Sequence, residues 1–263
     1  MRRENKMKEF FKKFYLALVF LFLYGPIAVL MVFSFNDSRL KGSWVGFTFK
    51  WYKELLHNEE ILSSFKTTIL IAILATIIAT ILGTIAAIGI YYLRGYKKTL
   101  LLNMNYLPVL NPDIVTAVSL MVIFNLMNFP FGFFTMLLSH ITFTTPYVIL
   151  AVLPKLSQMN KFLPEAAMDM GATPFYTLRK VVLPEIKTGV FSGSLLAFTL
   201  SIDDFVISFF TTGHGVSNLS VTVYSMAKKG VNPAINALST IMFLVMVILL
   251  LILHKRTNLL EEL

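Results

Sequence analysis

Long apolar stretches broken by short polar, basic or proline-containing segments run through the chain. The first, Phe14 to Phe35, is Leu, Phe, Val and Ala interrupted only by a few residues such as Tyr24, Gly25, Pro26 and Ser34. It exceeds the ~20 residues that cross a bilayer core. Further stretches fall at about 66–92, 100–127, 131–153, 188–211 and 236–254. The pattern predicts six transmembrane helices, an all-α polytopic fold in which residues 1–263 form one membrane domain.

Composition agrees: of 263 residues 56% are hydrophobic and 14% charged, with mean hydropathy +0.73, too apolar for an ordinary soluble domain. A basic segment, 1–13, precedes the first stretch, but that stretch is too long and lacks a small-residue cleavage site, which argues against a removable signal. Without cysteine the chain has neither disulfides nor thiolate ligands, and His57, His140, His214 and His254 lack metal-ligand spacing.

Charge orients the spans. With both termini in the cytoplasm, the inner side carries sixteen Lys and Arg: six in the N-terminal segment, Arg94, Lys97, Lys98, Lys155, Lys161, Arg179, Lys180, Lys187, Lys255 and Arg256. The outer side carries seven: Arg39, Lys41, Lys50, Lys53, Lys66, Lys228 and Lys229. This follows the positive-inside rule, so the net charge of +9 reflects topology and anionic membrane lipid, with no call for nucleic acid. The outer segment 36–65 is amphipathic, with Trp44, Trp51 and Tyr52 suited to the headgroup layer and Glu54, Glu59 and Glu60 on a solvated face.

The inner loop 154–187 is long, while its counterpart 93–99 is very short. Pro164-Glu165-Ala166-Ala167 suits a helix opening with Pro164 at its first position, and Gly171 suits the left-handed residue that closes one. Thr173-Pro174 suits the start of a second helix that Pro184 ends, with an apolar stripe of Phe175, Leu178, Val182 and Val181 opposed by Arg179 and Lys180. Two short helices joined by a turn would protrude beyond the lipid.

Three acids fall inside expected spans, where ionisable groups are costly and mark function by default. Asp113 lies about fifteen residues beyond Lys98, and Asp203 and Asp204 about sixteen beyond Lys187. A straight rise puts all three at similar depth, roughly 22–26 Å from the inner edge. Adjacent residues on a helix point ~100° apart, so Asp203 and Asp204 cannot share one lumen. Asp204 is favoured, near the small-residue line Gly189, Gly193, Ala197, Ser201 and one turn from Ser208. That line either packs helices closely or leaves room for a path. A second line, Ala72, Thr76, Ala79, Gly83, Ala86, reads as helix packing. Pro108 and Asn111-Pro112 interrupt the third span, with Asn111 able to cap a helix that Pro112 begins, and such breaks need protein or a watery cavity beside them. A carboxylate group without internal cations suits a polycation; helix capping is the competing role.

Glu165-Ala166-Ala167, Gly171 six residues after the Glu, and Leu183-Pro184 together resemble the EAA loop of ABC importer permeases, with Val181 where that family has isoleucine. Gly46 to Tyr52, Asn111 to Val115, Ser139 to Phe143, Ser201 to Phe205 and Val231 to Leu238 extend the resemblance to permeases of the spermidine/putrescine (PotC-type) family. The resemblance implies a type I importer architecture. Glu165, Ala166, Ala167, Gly171, Leu183 and Pro184 would couple the loop to a separate ATPase, and Asp204, Asp203 and Asp113 would line a polyamine path. It also implies residence in the bacterial cytoplasmic membrane alongside two ATP-binding subunits, a second permease and an extracytoplasmic polyamine-binding protein. No Walker A loop occurs in the chain, so ATP and Mg²⁺ would be bound by those partners and the chain itself would not be an enzyme. An ion-gradient-driven carrier and an intramembrane acid–base enzyme are the rival readings.

Overall fold

The computed structural model describes residues 2–38, 43–213, 215–229 and 233–261. Arg39, Lys41, His214, Val231 and Asn232 lie outside them. So do the side chains of Arg2, Arg3, Lys6, Lys8, Lys229, His254, Lys255 and Arg256. The described chain is helical, with one isolated antiparallel bridge between Asn36 and Phe47. It divides into two compact units, 1–62 with 223–263, and 63–222.

The first unit holds α1 (Arg2–Phe33), α2 (Lys50–His57) and α13 (Ala234–Glu261). Helix α13 packs on both α1 and α2. Asn36 organises the link between α1 and α2: its amide nitrogen donates to the Ser43 carbonyl at 2.7 Å and its side-chain oxygen accepts from the Val45 amide at 2.9 Å. Trp51 is fully buried and donates to the Asn36 carbonyl at 2.8 Å, so it is the core of this cap and not a headgroup anchor. Trp44 does stay half exposed. Phe35, Phe47, Phe49 and Tyr52 complete an aromatic cluster.

In the second unit α3 (Glu59–Tyr92, which enters from the first), α4 (Tyr96–Leu110), α5 (Asp113–Leu126) and α6 (Phe133–Gln158) are followed by the short α7 (Phe162–Asp169) and α8 (Pro174–Thr177). A π turn, Leu178–Val182, leads to α9 (Leu183–Glu185), then α10 (Lys187–Asp203), α11 (Val206–Thr211) and the start of α12 (Leu219–Lys229). Helix α6 is central, with α4, α5, α10 and α11 packed against it. Its buried positions Met136, His140, Thr144, Val148, Val152 and Leu156 recur every fourth residue, the spacing of one helix face.

Both small-residue lines close onto α6. A Cβ on Gly193 would meet the Val148 Cα at 3.2 Å, one on Gly189 the Ala151 carbonyl at 3.0 Å, and one on Gly83 the Val148 Cβ at 2.7 Å. Ala72, Ala79 and Ala197 are fully buried. Lipid supplies no hydrophobic force between helices, so packing depends on this close approach of backbones.

Among the described residues three helices are long and apolar enough to cross a membrane: Phe11–Phe33, Glu59–Tyr92 and Phe133–Gln158. Counting each bent pair as one span raises the number to five. The expected count of six is not reached among the described residues, where the apolar part of α13 is Ala234–Val245. The expected span 100–127 is broken by 104° between α4 and α5, a 71° bend joins Pro174–Glu185 to Lys187–Asp203, and the expected span 188–211 is interrupted between α10 and α11 at residues 204–205. Proline explains the first break: Pro112 lacks the N–H that would continue α4, and Asn111 before it takes an extended conformation (ψ 144°). Pro112 is the N-cap of α5 and Asp113 its first residue, one position later than expected, and the Asn111 side chain caps nothing. The inner loop also begins later, because α6 carries Pro154 within it and runs to Gln158.

Filling the seam should loosen the unit. Gly193→Leu is expected to destabilise it by ~1–3 kcal/mol through overpacking against Val148, read as a lower thermal unfolding midpoint in detergent, whereas Gly25→Leu, whose Cβ meets nothing within 4 Å, leaves the midpoint unchanged.

Candidate functional site

Two polar constellations stand out in the second unit. The first lies where α10 ends. Asp203 is its last residue, Asp204 is extended (φ −64°, ψ 127°), and α11 begins at Val206. The two aspartates do not sit on one continuous helix, so the expected ~100° rule does not apply to them. Asp204 turns its carboxylate onto the free N–H groups of α11: Oδ1 accepts from the Ile207 amide at 3.1 Å, and Oδ2 from the Ser208 amide and hydroxyl, both at 2.7 Å. This is N-capping by a carboxylate, which also complements the positive helix end.

The Ser208 hydroxyl, its proton given to Asp204, accepts from Asn218 Nδ2 at 2.7 Å and from His140 Nε2 at 2.9 Å. His140 Nδ1 then accepts from the Ser201 hydroxyl at 2.7 Å. Asn218 also donates to the Asp204 carbonyl at 2.9 Å, and its side-chain oxygen accepts from the Val221 amide at the start of α12. Donors and acceptors match throughout with one neutral imidazole carrying its proton on Nε2. His140, Ser201, Ser208 and Asn218 are at most 1% exposed, and the Asp204 side chain 8%. The sequence had singled out Asp204 and Ser208 but not His140 or Asn218. The spacing from His140 to Ser201 and Ser208 along the chain is 61 and 68 residues, which no local pattern reveals.

Asp203 and Asp113 are exposed instead. Asp113 opens α5 within electrostatic reach of Tyr147 on α6. Tyr147, Leu200 and Val206 pack against the buried cluster of Ala117, Phe143 and Ile207, where α5, α6, α10 and α11 meet; Asp113 lies four residues before Ala117 and Asp203 three before Val206. The 104° bend removes the straight-rise estimate for the depth of Asp113. Beside that bend lies a cavity of about 200 Å³ lined by residues including Pro108, Asn111, Ser119 and Thr142.

The second constellation is the inner loop. Helix α7 starts before Pro164, at Phe162, whose amide donates to Asn160 Oδ1 at 3.0 Å, so Pro164 is not the opening residue. Its end matches the sequence reading: Gly171 has φ +91°, the Gly171 amide donates to the Met168 carbonyl at 2.9 Å and the Ala172 amide to Ala167 at 3.1 Å. These two bonds are the Schellman closure, and the left-handed conformation is what selects glycine. Thr173 caps α8 through the Tyr176 amide. The π turn precedes Pro184, whose ring and missing N–H would otherwise collide with the turn below; the Leu183 amide reaches back to Leu178 instead.

Val182 and Ile186 are buried and Leu178 half-buried, but Phe175 is 72% exposed and does not belong to the buried stripe. With Phe162 (72%) and Met170 (89%) it leaves large apolar side chains bare around Glu165, Ala166 and Gly171.

The family model for the inner membrane component of binding-protein-dependent transport systems matches residues 79–258, which include both constellations. The chain belongs to this family. The permease is 38% identical over 90% of its length to the spermidine/putrescine transport system permease protein PotC of Escherichia coli K12, of which 90% is covered. It is 39% identical over 86% of its length to the putrescine transport system permease protein PotI of the same strain, 83% of which is covered. A crystal structure of a bacterial ABC transporter that imports the acidic polysaccharide alginate superposes with TM-score 0.79, covering 96% of the permease and 97% of that chain at 14% identity. At that identity the likeness is one of fold, and it places the permease in the type I importer architecture. The protein is a multi-pass membrane component.

Ser208→Ala would leave His140, Asn218 and Asp204 without their common partner. A loss of ~1–3 kcal/mol is expected, measurable as a lower unfolding midpoint of the purified permease, while the exposed Asp203→Asn leaves that midpoint unchanged.

Proposed function

We propose that the permease is one of two membrane-spanning subunits of an ATP-driven importer of polyamines, and that it acts without binding ATP itself. The observation that carries the reading is the inner loop: two short helices locked by Gly171 and Thr173, presenting Phe162, Met170 and Phe175 to the outside. Apolar side chains of this size bared together mark a docking surface. Here they surround Glu165, Ala166, Ala167 and Gly171, and Leu183 and Pro184 join the same element to α10. A push from an ATPase seated there travels through Ile186 and α10 to the Asp203–Asp204 break without crossing a flexible linker.

The cargo reading rests on the names of the relatives and on the acids. Asp113 and Asp203 present carboxylates at one helix junction, and ionised groups at membrane depth are tolerable only where they face a watery path or a partner. Protonated amines of spermidine or putrescine would meet them as charge-assisted acceptors. Asp204 serves this path indirectly, holding the α10–α11 break in shape through Ser208, Asn218 and His140. The orientation that follows has both termini and the inner loop in the cytoplasm, where a pair of ATP-binding subunits takes up ATP and Mg²⁺. A second permease completes the channel, and an extracytoplasmic polyamine-binding protein delivers cargo from the other side.

Uptake of radiolabelled spermidine by cells carrying the complete set of subunits tests both halves. Glu165→Lys is expected to abolish uptake while substrate-stimulated ATP hydrolysis by the purified assembly also falls; unchanged uptake removes the loop from coupling. Asp203→Asn and Asp113→Asn are each expected to raise the KM for spermidine roughly ten-fold, the order of one charge-assisted contact, with assembly intact. An unaltered KM in both removes these acids from the path.

A further inference from the structure

Between the inner ends of α3 and α4 and the coupling loop lies a cavity of about 640 Å³ that the transport reading does not use. Arg94, Lys98 and Lys161 line it, opposed by a single carboxylate, Glu165. Tyr91 and Tyr92 form part of its wall, and Lys98 is held there by its bond to the Tyr91 carbonyl at 3.4 Å and by the Tyr91 ring, 5.7 Å below its ammonium. Thr177 also lies in its wall. Ile88, Leu178 and Val182 supply an apolar floor.

Three cations against one anion would repel a polyamine, so the cavity is not an extension of the cargo path. The same set suits a tetrahedral anion: a planar guanidinium and two ammonium groups for its oxygens. We propose that this cavity binds a phosphate-bearing group, and that in the membrane the group is the headgroup of an inner-leaflet phospholipid. The lipid source rests on the orientation proposed above, which sets Arg94 and Lys98 at the cytoplasmic surface; tyrosines and basic side chains gather at that depth. The apolar floor continues the α3 span, which gives acyl chains an adjoining surface. Because Pro164, Glu165, Met168, Pro174 and Thr177 belong to both the cavity wall and the coupling loop, an occupied cavity would brace that loop against α3 and α4.

The test is binding, independent of transport. The full-length permease, purified in detergent with the subunits that accompany it, is titrated with phosphatidylglycerol and examined by native mass spectrometry. A parallel arm titrates sn-glycerol 3-phosphate. Wild type is expected to retain phosphatidylglycerol roughly ten-fold more tightly than Arg94→Gln/Lys98→Gln/Lys161→Gln. Lys12→Gln/Lys13→Gln is expected to match wild type, which separates this cavity from general surface charge. Glycerol phosphate binding that the triple substitution abolishes, with no lipid retained, supports the phosphate site and assigns it to a soluble ligand. Equal retention by wild type and the triple variant in both arms overturns the proposal. Neither arm involves ATP or polyamine, so failure here leaves the transport reading standing, and failed transport leaves this one.

Discussion

Val148 of α6 lies between two glycines, Gly83 on α3 and Gly193 on α10, and the organisation of the second unit depends on that contact. In lipid, apolar side chains gain nothing from meeting each other rather than acyl chains, so helices associate where backbones come close enough for dispersion and polar bonds to add up. Glycine at the contact removes the side chain that would hold the axes apart. The register then propagates along the antiparallel pair. Eight residues back on α6 and eight forward on α10, about 12 Å of rise on each, bring His140 to Ser201.

From that bond outward, the polar core forms at the one place where α10 abandons helical geometry. A broken helix frees N–H groups that lipid cannot satisfy. Asp204 accepts two of them, Ser208 ties it to His140, and Asn218 joins the chain that follows. The break is therefore rigid and not a point of fraying. Asp203, one residue earlier, is left at the surface. A carboxylate that holds architecture and one free to meet a ligand are adjacent in the chain, separated by the end of a helix.

The loop between α6 and α10 is held together differently. Its shape comes from local chemistry: a Schellman closure at Gly171, a threonine cap at Thr173, and a π turn ahead of Pro184. Such elements need few long-range contacts, so the loop's form is set largely by its own sequence.

This difference decides what was legible. Long apolar runs, the Glu165–Pro184 spacing, the turn at Gly171 and the two lines of small residues depend on neighbours in the chain, and the sequence alone carried them through to the class of protein. It also marked Asn111-Pro112 as a break, since proline's missing donor is a local fact. The angle of that break, 104°, depends on where α5 and α4 find their packing partners on α6. Trp51 read as a headgroup anchor because amphipathic aromatics favour interfaces, yet a carbonyl at Asn36, fifteen residues away, gave its N–H a buried partner. The roles of Asp203 and Asp204 could not be divided from their positions either. Only the meeting of α6, α10, α11 and the Asn218 loop decided which carboxylate is enclosed, because burial and hydrogen-bond satisfaction are properties of groups brought together across the chain.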